Sequence, residues 1–293
     1  MDGDRMISLN DRGLSRRNAL KATATGAALG STFALSVQPV SAQTMITTAA
    51  DGLTAGEVKV KTKDGKEMVA YRAMPASGTG FGTILVVQEI FGVHAHIADM
   101  CRRFAKAGYC AVAPELYFRQ GDAKSYTDIP KLMQEIVAKV PDAQVMDDLD
   151  ATVAFVKGEG KADTAKLGIT GFCWGGRITW LYAAHSSKVR AGVAWYGRLS
   201  GDYGAMTPRH PVDVAKELKA PVLGLYGGAD QGIPVSSVED MQAELESAKG
   251  TSELVVYPDA PHAFHADYRA TYREGPAKDG WKKMQEWFKK HGV

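Results

Sequence analysis

Lys166-Leu167-Gly168-Ile169-Thr170-Gly171-Phe172-Cys173-Trp174-Gly175-Gly176 passes from an apolar run, through a cysteine set among small residues, into a helical pattern that starts near Arg177. That is the layout of a nucleophile elbow, with cysteine where serine is commoner. The turn from strand to helix is sharp, so a side chain at Gly171 or Gly175 would collide with neighbouring backbone. Such a turn holds the thiol out of a sheet at a helix N-terminus, where the macrodipole and free backbone N–H groups favour the thiolate. The competing reading of Cys173 is a packed structural thiol, because free cysteine is among the most buried residue types.

On either side of this stretch, strand and helix patterns alternate. Residues 57–62 and 67–74 alternate apolar and polar around Asp64-Gly65, which reads as a hairpin at a sheet edge. Thr83-Ile84-Leu85-Val86-Val87-Gln88 is a continuous apolar run, expected of a strand buried on both faces. A helix over 95–107 ends at Gly108, and a strand follows over 109–114. A longer excursion over 115–141 contains an amphipathic piece at 129–139. The next helix covers 142–157, with Asp142 as its N-cap. Further strands are expected at 167–171, 189–195, 221–226 and 254–257, and helices at 175–184, 235–247 and 277–291. Strands separated by helices imply an α/β fold, with a mostly parallel central sheet covered by helices on both faces.

The first 42 residues read differently. Ser15-Arg16-Arg17-Asn18-Ala19-Leu20-Lys21 is a twin-arginine pattern, although Ala19 stands where a bulky apolar residue is commoner. A weakly apolar stretch over 22–37 is too short, and too rich in Thr, Gly and Ser, to span a membrane well. Val40-Ser41-Ala42 then offers small residues for cleavage before Gln43. Residues 1–42 are therefore expected to be a twin-arginine export signal, and residues 43–293 a single domain delivered to the periplasm by the twin-arginine export machinery. About 250 residues suit one α/β domain with a sizeable core. The formal net charge of +2 implies no nucleic-acid surface, and no other apolar run is long enough to give a stable membrane anchor. Of the three cysteines, Cys101 and Cys110 flank a helix-to-strand connection that puts them in different packing layers, so a disulfide between them is not expected. Cys173 is the free thiol whether or not they pair.

In sheets of this kind a ligand site forms at the carboxyl ends of the strands. Those ends carry Gln88-Glu89-Ile90-Phe91-Gly92, Gly171-Phe172-Cys173, Tyr226-Gly227-Gly228-Ala229-Asp230 and, after the last strand, Pro258-Asp259-Ala260-Pro261-His262. The order Cys173, Asp230, His262 is nucleophile, acid, base, which is the chain order of α/β-hydrolases. His262 is placed to take the thiol proton and later to activate water. Asp230 is placed to orient the imidazole, although a turn cap before Ile233-Pro234 competes for it. Backbone N–H groups of Ile90 and Trp174 are the expected oxyanion hole. His94 and His96 read as polar residues at a helix start, His185 and His210 as surface residues, and His265 as either lining the site or facing solvent. A metal site at His94 and His96 lacks matching carboxylate or thiol ligands, and no motif implies an organic cofactor or metal. Trp174, Trp195, Tyr196 and Phe264 are candidates for an aromatic pocket, or for ordinary core.

Glu89-Ile90-Phe91-Gly92, Ala113-Pro114-Glu115-Leu116-Tyr117, Gly171-Phe172-Cys173-Trp174-Gly175-Gly176, Gly227-Gly228-Ala229-Asp230 and His262-Ala263-Phe264 together resemble the dienelactone hydrolase (carboxymethylenebutenolidase) family. The resemblance implies the α/β-hydrolase fold and a Cys173-His262-Asp230 triad that opens lactones or activated carboxylic esters through a thioester. It implies that Glu89 pairs with the thiol and helps deprotonate it, and that Arg119 binds a substrate carboxylate bidentately. It also exposes a departure. The family's serine after the catalytic histidine, and its arginine three residues further on, are Ala263 and Ala266 here, which puts dienelactone itself in doubt. His265 and Arg269 are the nearby candidates to substitute for them. The leading expectation is thus a small-molecule lactone or ester hydrolase. A thioesterase or acyl transferase on the same fold, and a non-catalytic binding protein, are the alternatives.

Overall fold

The computed structural model describes residues 46–293 together with the backbone of Ile7–Ser8. The twin-arginine segment and the cleavage site at Ala42 lie outside the described residues. The strands are β1 (Ile7–Ser8), β2 (Leu53–Lys61), β3 (Glu67–Pro75), β4 (Phe81–Val87), β5 (Cys110–Pro114), β6 (Ala162–Phe172), β7 (Val189–Trp195), β8 (Val222–Gly227) and β9 (Glu253–Tyr257). Their order across one sheet is β1-β9-β8-β7-β6-β4-β5-β3-β2. Strands β4 to β9 pair in parallel. The hairpin β2–β3 is antiparallel at one edge, turning through Gly65 with φ 81°. β1 is antiparallel to β9 at the other edge.

Seven α-helices complete the chain: α1 (Ala95–Lys106), α2 (Ile129–Glu135), α3 (Asp142–Glu159), α4 (Trp174–His185), α5 (Pro211–Val214), α6 (Val235–Ala248) and α7 (Glu274–Lys290), counted among the described residues. Strand β6 shows why its sequence is apolar throughout its C-terminal half. Gly168 lies against Phe288, and Thr170 Oγ1 against Met284, both on α7. Gly171, on the opposite face, lies against Thr179 of α4. Phe104 of α1 packs on Trp281 and Phe288 of α7, and Tyr182 of α4 bonds Asp150 of α3. Helices therefore cover both faces, and alternating residues of one strand serve two cores. Among the described residues no helix is long and apolar enough to cross a membrane.

Two expectations change in detail. Asp142 is not the N-cap of α3: Pro141 occupies that position, and the Asp142 carboxylate instead holds Arg177 of α4 through two bonds of 2.7 Å. A carboxylate at N1 suits the helix dipole, but the buried guanidinium is the stronger partner. His210 is buried, not on the surface; it precedes α5 in a reciprocal cap with Asp213, and its ring meets Arg177 Nε at 3.4 Å. The exposed His185 pairs with Asp150, as a surface residue would. Cys101 on α1 and Cys110 on β5 are free and buried, as is Cys173. Burial pushes the Cys110 thiol up to about 11 and Cys101 higher still, so both are unreactive core residues.

The elbow has the geometry its glycines require. Cys173 has φ 57° and ψ −114° and is the N-cap of α4. A Cβ on Gly171 would lie 2.1 Å from the Gly175 carbonyl oxygen, and one on Gly175 would lie 2.5 Å from the carbonyl oxygens of Val87 and Gln88. By contrast, a Cβ on Gly158 in α3 would meet nothing within 4 Å. Gly171→Ala should therefore cost about 3 kcal/mol or more, a fall of roughly 6–12 °C in melting temperature. Gly158→Ala should be neutral or stabilising by up to about 1 kcal/mol. Thermal melts of the two variants side by side check this; equal melting temperatures would refute the packing account.

Candidate active site

Each candidate residue follows the carboxyl end of a parallel strand. Cys173 follows β6, Asp230 follows β8 and His262 follows β9, while Glu89 sits in the turn after β4. His262 Nδ1 lies 2.7 Å from Asp230 Oδ2. A carboxylate only accepts, so Nδ1 carries the proton and Nε2 is left for the nucleophile. The other carboxylate oxygen, Asp230 Oδ1, accepts the N–H groups of Gly232 at 2.8 Å and Ile233 at 3.1 Å. The turn-cap and orienting readings of Asp230 are both realised, one on each oxygen.

Cys173 and His262 are 1% and 2% exposed. Burial alone would lower the imidazole, but the charges of Cys173 and Asp230 and their hydrogen bonds outweigh it and raise His262 to about 10. The charged form of the ring is thus the one its surroundings favour. Trp174 opens α4, so its N–H is one of the helix N-terminal donors without an intrahelical partner. Ile90 is buried in the turn closed by the Glu89–Gly92 bridge. That turn follows directly on Val87 and Gln88, whose carbonyls press on Gly175. The two expected oxyanion donors therefore belong to adjoining segments.

Glu89 is buried; its Oε2 accepts from His94 Nε2 at 2.9 Å and from the Tyr268 hydroxyl, and forms an ion pair with Arg269 Nη2 at 3.7 Å. Burial alone would raise this carboxyl, but the Arg269 charge and the His94 bond hold it well below the usual carboxylate range. Next to it lies a second buried group. His96 Nδ1 is 3.4 Å from Asp267 Oδ1, Arg103 bonds both Asp267 and Asp99, and Asp99 accepts the Thr48 N–H at 2.6 Å. His94 and His96 are consequently interior residues and not merely polar helix starts. Tyr268 and His94 were not singled out as site residues from the sequence. The detectable signal was a pair of histidines entering an otherwise apolar helix face.

His265 is resolved in favour of the interior: it packs on Trp195 at 4.4 Å and Phe172 at 5.4 Å. Trp195, Tyr196 and Phe264 meet at 5.3–6.5 Å between ring centroids, while Trp174 packs on Tyr117 at 4.9 Å. Arg119 lies elsewhere. Its guanidinium makes two bonds to Asp64 and two to Asp148, and stacks on Phe118. The guanidinium bound to Glu89 is Arg269, which also feels the charge of Cys173. Arg198, half-buried after β7, lies in the field of Cys173 as well.

A parallel sheet, an elbow cysteine and a histidine–aspartate pair after later strands define the class: an α/β-hydrolase. The dienelactone hydrolase family model matches residues 68–292, and the chain belongs to that family of hydrolases. It is 65% identical over 280 residues to a provisionally named carboxymethylenebutenolidase of Methylorubrum extorquens, covering 96% of this chain and 94% of that one. It is 52% identical over 261 residues to one from Escherichia coli K12, covering 89% and 95%. The crystal structure of a provisionally named dienelactone hydrolase from Klebsiella pneumoniae superposes with a TM-score of 0.80 at 55% identity, over 82% of this chain and 99% of that one.

Two outcomes follow from the buried charges. Burial lowers His94, and lowers His265 far more, which favours the neutral form of each in the folded protein. Between their folded pKa values and the unfolded value near 6.5, the unfolded chain binds more protons. Stability should therefore fall as pH drops below about 6.5, and His265→Gln should shallow that slope; urea melts across pH 4–8 read it. Glu89→Gln should cost about 3–5 kcal/mol, because it leaves the buried Arg269 guanidinium uncompensated. An unchanged melting temperature for Glu89→Gln would contradict it.

Proposed function

We propose that this chain cleaves lactones or activated carboxylic esters through Cys173, His262 and Asp230, by way of a thioester. The reading rests on one observation above others. Asp230 bonds His262 through Nδ1, which leaves Nε2 of that buried imidazole for the buried thiol at the end of β6. The Cys173 thiolate attacks the carbonyl carbon, and the developing oxyanion is received by the N–H groups of Trp174 and Ile90. The tetrahedral intermediate collapses, the carbon–oxygen bond breaks, and the leaving oxygen takes the imidazolium proton. Water then gives a proton to His262 and its oxygen to the acyl carbon, and the carbon–sulfur bond breaks to restore the thiolate.

A thiolate suits an enol lactone or aryl ester because its leaving ability matches theirs, whereas an amide nitrogen leaves poorly. The names of the relatives point the same way, to butenolide lactones. We assign Glu89 to the support of this centre, as an ionised carboxylate between Arg269 and His94, and the thiol proton to His262. Recognition of a substrate carboxylate passes from Arg119, whose bonds go to Asp64 and Asp148, to the Arg269 side of the site.

Cys173→Ala should lower turnover of an acidic enol lactone, a neutral enol lactone and a short aryl ester by at least about 10³-fold. Arg119→Gln should leave the preference between acidic and neutral lactones unchanged. Turnover that survives Cys173→Ala on every substrate would end this reading. We further propose that residues 1–42 direct twin-arginine export to the periplasm, on the strength of Arg16-Arg17 and Val40-Ser41-Ala42. N-terminal sequencing of the exported protein should begin at Gln43, and a cytoplasmic protein beginning at Met1 would refute it.

A further inference from the structure

Tyr196 combines two unfavourable features at one position. Its backbone has φ 37°, a region that residues bearing a side chain rarely adopt. Its side chain is completely buried, yet its hydroxyl has no hydrogen-bond partner among the described residues. The surroundings account for the backbone. Cys173 N–H donates to the Trp195 carbonyl at 3.0 Å, and Tyr196 N–H donates to the Leu225 carbonyl at 2.8 Å. On the other side Gly197 is pressed against the elbow, where its Cβ would lie 2.3 Å from Gly176 backbone. Residue 196 is thus clamped between β8 and the start of α4. The clamp explains the strain but not the hydroxyl: phenylalanine would fill the same space without an orphan donor, and buried donors without partners are destabilising.

The ring stands edge-on to His262, with centroids 5.2 Å apart, and against Phe264 at 5.3 Å. The phenol also lies in the fields of Cys173 and of the Glu89–Arg269 pair. Burial and the negative charge of Glu89 hold its pKa well above the usual tyrosine value, so the group keeps its proton and is a donor. A buried, unpartnered donor on a ring that stands against the imidazole is next to one substrate atom in particular. That atom is the oxygen leaving the carbon that Cys173 attacks.

We propose that the Tyr196 hydroxyl is a substrate-contacting group that donates a hydrogen bond to the leaving-group oxygen of the bound ester or lactone. This rests on the thiol-hydrolase reading above. As the carbon–oxygen bond breaks, negative charge grows on that oxygen. His262 transfers its proton there, while Tyr196 keeps its own proton and stabilises the charge until the transfer is complete. The contribution is therefore largest for poor leaving groups and smallest for good ones.

The test is Tyr196→Phe beside the wild type and Cys173→Ala, each assayed on a 4-nitrophenyl ester and on the ethyl ester of the same acid. For Tyr196→Phe, kcat/KM should fall about tenfold on the ethyl ester and change less than about twofold on the nitrophenyl ester. Its melting temperature should be unchanged or higher, because an unpartnered buried hydroxyl has been removed. An equal loss on both esters, no loss on either, or a lowered melting temperature would overturn the proposal, the last by exposing an internal partner for the hydroxyl. Wild-type turnover in Cys173→Ala would overturn the thiol-hydrolase reading itself. A Cys173-dependent reaction with parallel Tyr196→Phe losses would overturn only the role of Tyr196.

Discussion

The close approach of three backbone segments at the elbow is the constraint on which the site depends. Gly171 faces the carbonyl of Gly175, Gly175 faces those of Val87 and Gln88, and Gly176 faces Gly197. No side chain fits at any of these contacts. They bring the ends of β4, β6 and β7 together and force Cys173 into φ 57°. One set of contacts therefore places the thiol, the turn carrying Glu89 and Ile90, and Tyr196. The strain at Cys173 and Tyr196 is borne by the surrounding sheet, whose strands are apolar enough to be buried on both faces.

Behind the thiol the fold buries charge and balances it. Glu89, Asp99 and Asp267 face Arg269, Arg102 and Arg103. Three carboxylates are thus matched by three guanidinium groups, and burial favours the neutral form of His94 and His265 beside them. Thr48, close to the beginning of the described chain, binds Asp99 and so ties that segment to the same cluster. The triad differs in kind. There the histidine is held charged, between Cys173 and Asp230, at about 10. Buried histidines with opposite shifts lie in one site because burial dominates at His94 and His265, whereas Cys173 and Asp230 together outweigh it at His262.

What the sequence by itself determined was the periodic part of the molecule and its nucleophile. The apolar run over 83–88, the Asp64-Gly65 hairpin and the glycine-flanked cysteine each impose a local geometry that no distant residue has to supply. The strands and helices therefore lie within a few residues of their expected places, and Cys173, Asp230 and His262 lie at the expected strand ends. The tertiary structure decided the partners of the charged residues. Arg119 and Arg269 are equally arginine in sequence; only the packing sends the first to Asp64 and Asp148 and the second to Glu89. Asp142 looks like a helix cap until Arg177 arrives from α4. His94, His96, His210 and His265 look polar and become interior, because whether a histidine is buried depends on which carboxylates and rings the fold brings to it. Local backbone preferences are written in neighbouring residues, whereas the pairs Arg119–Asp148 and Arg269–Glu89 span 29 and 180 residues and exist only once the chain has closed on itself.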